Sequence, residues 1–266
     1  MGKIINTAYP ITTVNGIKIN TSKQCHSSNK ENYSTRSIDY IVLHYTGNSK
    51  DTASANANYF TGANRQASAH YFVDDNSIYQ SVELRDKAWH CGGSTYYHSN
   101  CRNTNSVGIE MCCTAGNYKI SNTTIKNAAY LTAELCKLLG ISASQVDKYV
   151  LRHYDITHKK CPAQMVDSSP TEDKDWTAFK KQVKDILGGN KVEAPKKTTT
   201  TANNSSSYKV KVTVDALNIR AGAGTTYRIT GVIRDKGVYT IVKTSGRWGK
   251  LKSGAGWIHL GYTKRV

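Results

Sequence analysis

Residues 37–46 read SIDYIVLHYT. The centre of this run is apolar without alternation, which marks a strand buried on both faces and a sheet with helices laid over it. Outward from it, TASANANYF (52–60) suits a short helix behind Asp51, and SAHYFVDD followed by SIYQSV (68–82) predicts a hairpin around Asp75-Asn76. NSVGIEMC (105–112) reads as a second short buried strand. Between residues 123 and 139, Ile125, Ala128, Leu131, Leu135 and Leu138 recur at helical spacing, with Gly140 as the stop. KYVLRHY (148–154) is a strand or strand end, and residues 173–189 form a closing helix with Trp176, Phe179, Val183 and Ile186 on one stripe. Strands alternating with helices give an α/β layered domain with a mixed sheet and flanking helices.

GGNKVEAPKKTTTTANNSSS (188–207) has almost no apolar residue and reads as a flexible linker. The expected division is a first domain over 1–188, a linker over 189–207 and a second domain over 208–266. The last segment has short alternating runs separated by Gly-containing turns and no helical period, as a small all-β barrel or sandwich requires.

The net charge of +17 is concentrated at one end: residues 208–266 hold twelve basic and two acidic side chains. Such a field draws a polyanion, whether nucleic acid, an anionic membrane surface or a wall polymer. Interleaved aromatic and basic motifs are missing, which ranks nucleic acid low, and no run of about eighteen apolar residues suggests a spanning helix. Residues 1–16 lack the apolar core of a secretory signal, so synthesis in the cytoplasm is expected. Seven cysteines, Cys25, Cys91, Cys101, Cys112, Cys113, Cys136 and Cys161, form an odd set without CxxC spacing. That argues against a disulfide framework and a closed structural zinc site; Cys91 and Cys101 could pair in an oxidising exterior.

LRHYDITHKKCP (151–162) crowds titratable groups into twelve positions. Taken as an extended run, it puts His153, Asp155, Thr157, Lys159 and Cys161 on one side, with Tyr154, His158 and Lys160 on the other. Lys159 beside Cys161 would favour the thiolate that a metal needs. His44, ending the first strand, supplies a second imidazole. Two His and one Cys, with a fourth position open to water, is the donor pattern of catalytic zinc. A lone strand histidine is also read as a hydrogen-bonded core residue, and spacing leaves both readings open. Asp155 could orient a ligand histidine or make a turn, and His90 could line a groove or orient a ligand.

IDYIVLHYTGN, SAHYFVDDNSIYQ, AWHCGG, SVGIEMC and LRHYDITHKKCP, in this order, resemble the zinc-dependent N-acetylmuramoyl-L-alanine amidases of the phage-lysozyme and peptidoglycan-recognition-protein superfamily, most of all the endolysin branch. The match covers roughly residues 37–165. The resemblance implies one Zn2+ per chain on His44, His153 and Cys161, with Glu110 and Lys159 as catalytic residues. Other branches use a Tyr near the SAHYFV strand, where His70 and Tyr71 stand here. It also implies hydrolysis of the amide between N-acetylmuramic acid and L-Ala, with Glu110 moving the proton and Lys159 stabilising the oxyanion. Glu110 as an ion-pair partner and Lys159 as a solvated charge remain the bland readings.

ALNIRAGAGTTYRITGVI and GRWGKLKSGAGWIHLGY resemble bacterial SH3-type cell-wall-binding domains over nearly all of 208–266, with Trp248 and Trp257 as core and groove wall. The implied partners are peptidoglycan and an associated anionic wall polymer, with neither nucleic acid nor membrane; the oligomeric state is left open. A peptidoglycan hydrolase reaching the wall after release is the leading reading. A non-catalytic peptidoglycan-binding protein on the same fold is the second.

Overall fold

The computed structural model describes residues 2–166, 173–189 and 207–266, apart from 226 and 246. Residues 190–206 of the expected linker lie outside the described residues. The chain divides into two compact units, Met1–Lys197 and Thr198–Val266.

The first unit begins with β1 (Lys3–Ile5), β2 (Thr13–Val14), β3 (Ile17–Asn20), β4 (Lys30–Glu31), β5 (Arg36–Ile38) and β6 (Tyr40–Tyr45). Then come α1 (Ala53–Phe60), β7 (Tyr71–Val73), β8 (Ile78–Gln80), β9 (Lys87–Ala88), β10 (Ser106–Met111) and α2 (Asn122–Leu139). It closes with α3 (Val146–Tyr149), β11 (Val150–Arg152), α4 (His153–Thr157) and α5 (Lys174–Leu187). Its main sheet runs β11-β6-β10-β7-β8-β3-β2. β6 lies parallel to both β10 and β11, whereas β7 and β8 form the antiparallel hairpin read around Asp75. The sheet is therefore mixed.

Alternation along β6 sorts the layers. Ile41 and Leu43 enter the main core with Val107, Ile109, Tyr71, Leu131, Leu135 and Phe179. Tyr40 and Val42 turn the other way, into a smaller cluster with Cys91, Cys101, Leu151 and Ile156. His44 follows on that second face, at the C-terminal end of the strand. Each fully buried Leu or Ile in these layers contributes roughly 1.5–3 kcal/mol. That burial holds the strand, and with it the face that His44 occupies.

The helices start and stop where local chemistry directs. Ser121 Oγ accepts the Thr124 N–H at 3.0 Å at the head of α2. Gly140, at φ +73°, ends the helix in the left-handed conformation. α1 is capped by Thr52, whose Oγ1 accepts from the Ala55 N–H, rather than by Asp51. Asp51 instead accepts from the Cys113 N–H and from the Asn56 side chain, each at 2.6 Å. Among the described residues no helix is long and apolar enough to cross a membrane.

The second unit contains β12 (Tyr208–Val212), β13 (Leu217–Arg220), β14 (Ile229–Ile233), β15 (Val238–Ser245), β16 (Trp248–Leu251), β17 (Trp257–His259) and β18 (Thr263–Arg265). They form one antiparallel sheet in the order β14-β13-β17-β16-β15-β12-β18, around Val210, Val212, Leu217, Ile233, Ile241, Leu251 and Ile258. This arrangement fits an SH3-like domain. Gly256, at φ +141°, lets two strands approach so closely that a Cβ there would lie 2.4 Å from the Arg220 carbonyl oxygen. Trp248 lines a cavity of about 470 Å³ with Arg220, His259 and Tyr262.

Candidate metal centre and active site

His44, His153 and Cys161 are buried and come together, with one donor atom from each lying within 4.8 Å of the others. The Sγ of Cys161 is 3.8 Å from Nδ1 of His44. His153 Nε2 faces the Gly92 carbonyl at 3.3 Å, while its Nδ1 is shielded from solvent and has no hydrogen-bond partner. Unpaired buried polar atoms are rare and call for an explanation. Here the orphaned Nδ1 joins an imidazole and a thiol in an N/S donor set suited to a tetrahedral zinc ion with one open position.

The route by which the chain gathers these groups corrects the extended reading of 153–161. Residues His153–Thr157 form one helical turn. Asp155 accepts from the Arg152 backbone N–H at 2.7 Å and from the Arg152 guanidinium, so it caps this turn and is not bonded to a ligand histidine. His158 then adopts φ +60°, with its N–H donating to the Tyr154 carbonyl, and the chain doubles back. Tyr154 N–H donates to the Cys161 carbonyl at 3.0 Å, which returns Cys161 alongside His153. His158 is exposed and stacks on Tyr97 with centroids 3.6 Å apart.

Burial sets the protonation of the three donors. It pushes His44 well below the ordinary histidine value, and His153 down to about 4 with help from Lys159, so both imidazoles are neutral at pH 7. Burial also pushes the Cys161 thiol up to about 12, and Lys159 lowers it less than burial raises it. The expected thiolate is therefore not favoured by the protein alone. Desolvation of the anion outweighs the attraction of one exposed ammonium.

Glu110 lies on β10 directly opposite His44 on β6 and Phe72 on β7. Its Oε2 is shielded and without a hydrogen-bond partner, and burial raises the carboxyl to about 7 against the lowering effect of Lys159. The side chain borders a cavity of about 450 Å³ shared with Asp51, Asn56, Tyr59 and Phe72. Lys159 is exposed, and its charge bears on His44, His153, Cys161 and Glu110. Alternation settles where Tyr71 stands. It pairs with Ile109, and its ring is wholly buried in the main core on the face opposite Glu110. His70 is buried as well, its Nδ1 accepting from the Gly108 N–H at 3.0 Å.

Ser106 carries no signal in the sequence, and the structure gives His90 the orienting role. His90 Nδ1 lies 3.0 Å from His44 Nε2, and His90 Nε2 lies 3.2 Å from Ser106 Oγ. Ser106 in turn donates to the Arg102 carbonyl at 2.6 Å. With Nδ1 of His44 kept as a lone pair, protons along this chain can run only one way: His44 donates to His90, and His90 to Ser106. Gly108 makes room, since a Cβ there would lie 2.5 Å from His90 Cγ. A glycine two positions before the strand glutamate, facing AWH, is the one sequence signal of this packing. Cys91 and Cys101 are buried and hydrogen-bonded to each other, without a disulfide between them.

Comparisons with known proteins place the first unit among relatives of one kind. The family model described as N-acetylmuramoyl-L-alanine amidase matches residues 34–164. A probable N-acetylmuramoyl-L-alanine amidase of Bacillus licheniformis is 34% identical over 180 residues, covering 64% of this chain and 48% of that protein. BlyA of Bacillus subtilis (strain 168), an N-acetylmuramoyl-L-alanine amidase, is 32% identical over 177 residues, covering 61% of this chain and 46% of its own length. The chain thus spans about half the length of the curated relatives it matches. The catalytic domain of XlyA superposes with a TM-score of 0.51 at 27% identity, covering 63% of this chain and 99% of that domain. The segment 34–164, which carries His44, Glu110, His153 and Cys161, belongs to the N-acetylmuramoyl-L-alanine amidase family.

Proposed function

We propose that the protein is a zinc-dependent peptidoglycan hydrolase of the endolysin type, cutting the amide between N-acetylmuramic acid and L-Ala of the stem peptide. The observation that carries this reading is the convergence of two neutral imidazoles and a thiol beside an unpaired carboxyl. His44, His153 and Cys161 would hold the ion through the two Nδ1 atoms and Sγ. Zinc, when bound there, supplies the Lewis acidity that activates water near neutral pH. Glu110 takes the proton of the attacking water and delivers it to the departing L-Ala amine; a carboxyl near 7 suits both halves of that transfer. Lys159 offers a fixed positive charge to the developing oxyanion. The Cys161, Glu110 and Lys159 side chains support catalysis over inert peptidoglycan binding on the same fold.

The proposed division of labour gives catalysis to residues 1–188, tethering to 189–207 and wall binding to the SH3-like segment 208–266. Anchoring by the second unit would raise the residence time of the first on its substrate. The decisive experiment is a digest of purified peptidoglycan. New L-Ala amino termini without new reducing sugar ends are expected. New reducing ends, or release of other amino termini alone, would sink the assignment of the bond.

A further inference from the structure

The sheet register of the second unit places six of its twelve basic side chains on or beside neighbouring strands. β12 pairs with β18 so that Lys211 stands opposite Lys264, and β15 pairs with β16 so that Lys243 stands opposite Lys250. Lys209 stands opposite Thr240, whose carbonyl accepts from the Lys252 N–H. All six lysines are exposed, while Val210, Val212, Ile241 and Leu251 on the same strands are buried. Directly opposed residues share a face at about 5 Å, and like charges so placed destabilise the pairing. The two acidic residues of 208–266 bring no relief: Asp215 pairs with Lys236, and Asp235 accepts from the Tyr239 hydroxyl. Among the described residues none of the six lysines has an ion-pair partner.

Two opposed lysine pairs in one small sheet are a cost to folding that a bound polyanion would offset. We propose that the β18-β12-β15-β16 face is the docking surface for a phosphodiester-linked anionic polymer of the cell wall. Lysines about 7 Å apart along a strand and about 5 Å apart across it present closely spaced point charges, which suit a flexible chain of repeated phosphates. The choice of a wall polymer over nucleic acid rests on the amidase reading of the first unit.

The test uses the full chain and insoluble walls, either intact or stripped of phosphodiester polymer with cold hydrofluoric acid. In sedimentation, changing Lys211, Lys264, Lys243 and Lys250 together to Gln should weaken binding to intact walls roughly tenfold or more and flatten its salt dependence. The same four positions changed to Arg should bind as the native protein does. The Gln variant should melt no lower than the native chain, because the opposed charges are gone. Native protein should bind stripped walls as weakly as the Gln variant binds intact ones. Unchanged binding by the Gln variant, or equally tight native binding to stripped walls, would overturn the proposal. Equally tight binding of duplex DNA at the same salt would reassign the face to nucleic acid. Cleavage of a short soluble muramoyl-peptide should be unchanged in the Gln variant. If the native protein failed to cut it, the amidase reading would fall while the wall-binding result stood.

Discussion

Glu110 and His44 are register partners on adjacent parallel strands, so a shielded carboxyl and a buried imidazole leave the sheet on the same face. This pairing is enforced by the main core beneath it, where Ile109 and Leu43 point the other way. A one-residue slip of β10 against β6 would bury Glu110 in that core. The register is thus a condition of the site as well as of the fold.

Glu110→Gln should lower the rate of amide cleavage by about 10²–10⁴-fold with little change in bound zinc. Retention of more than a tenth of the rate in a digest assay would argue that another group moves the proton.

The same substitution has a stability signature in protein freed of metal by a chelator. The folded carboxyl titrates near 7, against an ordinary value of 4.5. Between these, the folded state holds a proton that the unfolded state has lost, so stability falls as pH rises through the window. Glu110→Gln removes that loss. Its gain in stability, read from thermal melts, should be absent below pH 4.5 and largest above pH 7, at most about 3 kcal/mol.

Cys161→Ser should abolish stoichiometric zinc, which metal analysis would read as well below about one ion per chain. In the native protein, the thiol near 12 must lose its proton when zinc binds, whereas the two imidazoles are already neutral at pH 7. Zinc affinity should therefore rise about tenfold per pH unit between about pH 6 and 8, measured by competition with a chelator corrected for its own titration. A flat profile would mean that the thiol is not a ligand.

Lys159→Met should reduce kcat by about 10²–10³-fold, with zinc content and KM for a soluble muramoyl-peptide little altered. Lys159→Arg should recover part of the loss, because the charge is retained.

Ser106→Ala and Gly108→Ala both act on His90, the first by removing its acceptor and the second by pushing a methyl against its ring. Each should weaken zinc binding about 10–100-fold, with shifted absorption bands in the cobalt-substituted protein. Unchanged cobalt spectra in both variants would reduce His90 to packing.

The sheet was legible because its central strands are continuous apolar runs, and α2 because its apolar residues recur at helical spacing up to Gly140; its Ser121 cap emerged only in the structure. Tyr71 and His70 could not be placed until the β7 register was known, since a strand's two faces are indistinguishable when both are buried. The segment after His153 was misread as extended for a different reason. A five-residue turn held by Arg152–Asp155 and ended by a left-handed histidine has no periodicity to detect, and His158 occupies a conformation usually signalled by glycine. Alternation grouped His153, Lys159 and Cys161 on a premise of extended chain that the helical turn removes, and only the resemblance gave Lys159 and Cys161 their roles. The thiol's protonation depended on burial, which the neighbouring lysine in the sequence could not reveal.

His44 and Cys161 are 117 positions apart. A single ion shared between them therefore acts as a removable cross-link, tying the central sheet to a peripheral turn. Because the unfolded chain has no such preformed site, the stability of the first unit becomes a function of ambient zinc, rising by about 2.7 kcal/mol when free metal reaches about a hundred times its dissociation constant. In zinc-poor surroundings the exposed segment His158–Lys160 would open more readily and come within reach of a protease. Metal supply would then govern the protein's lifetime as well as the proposed activity.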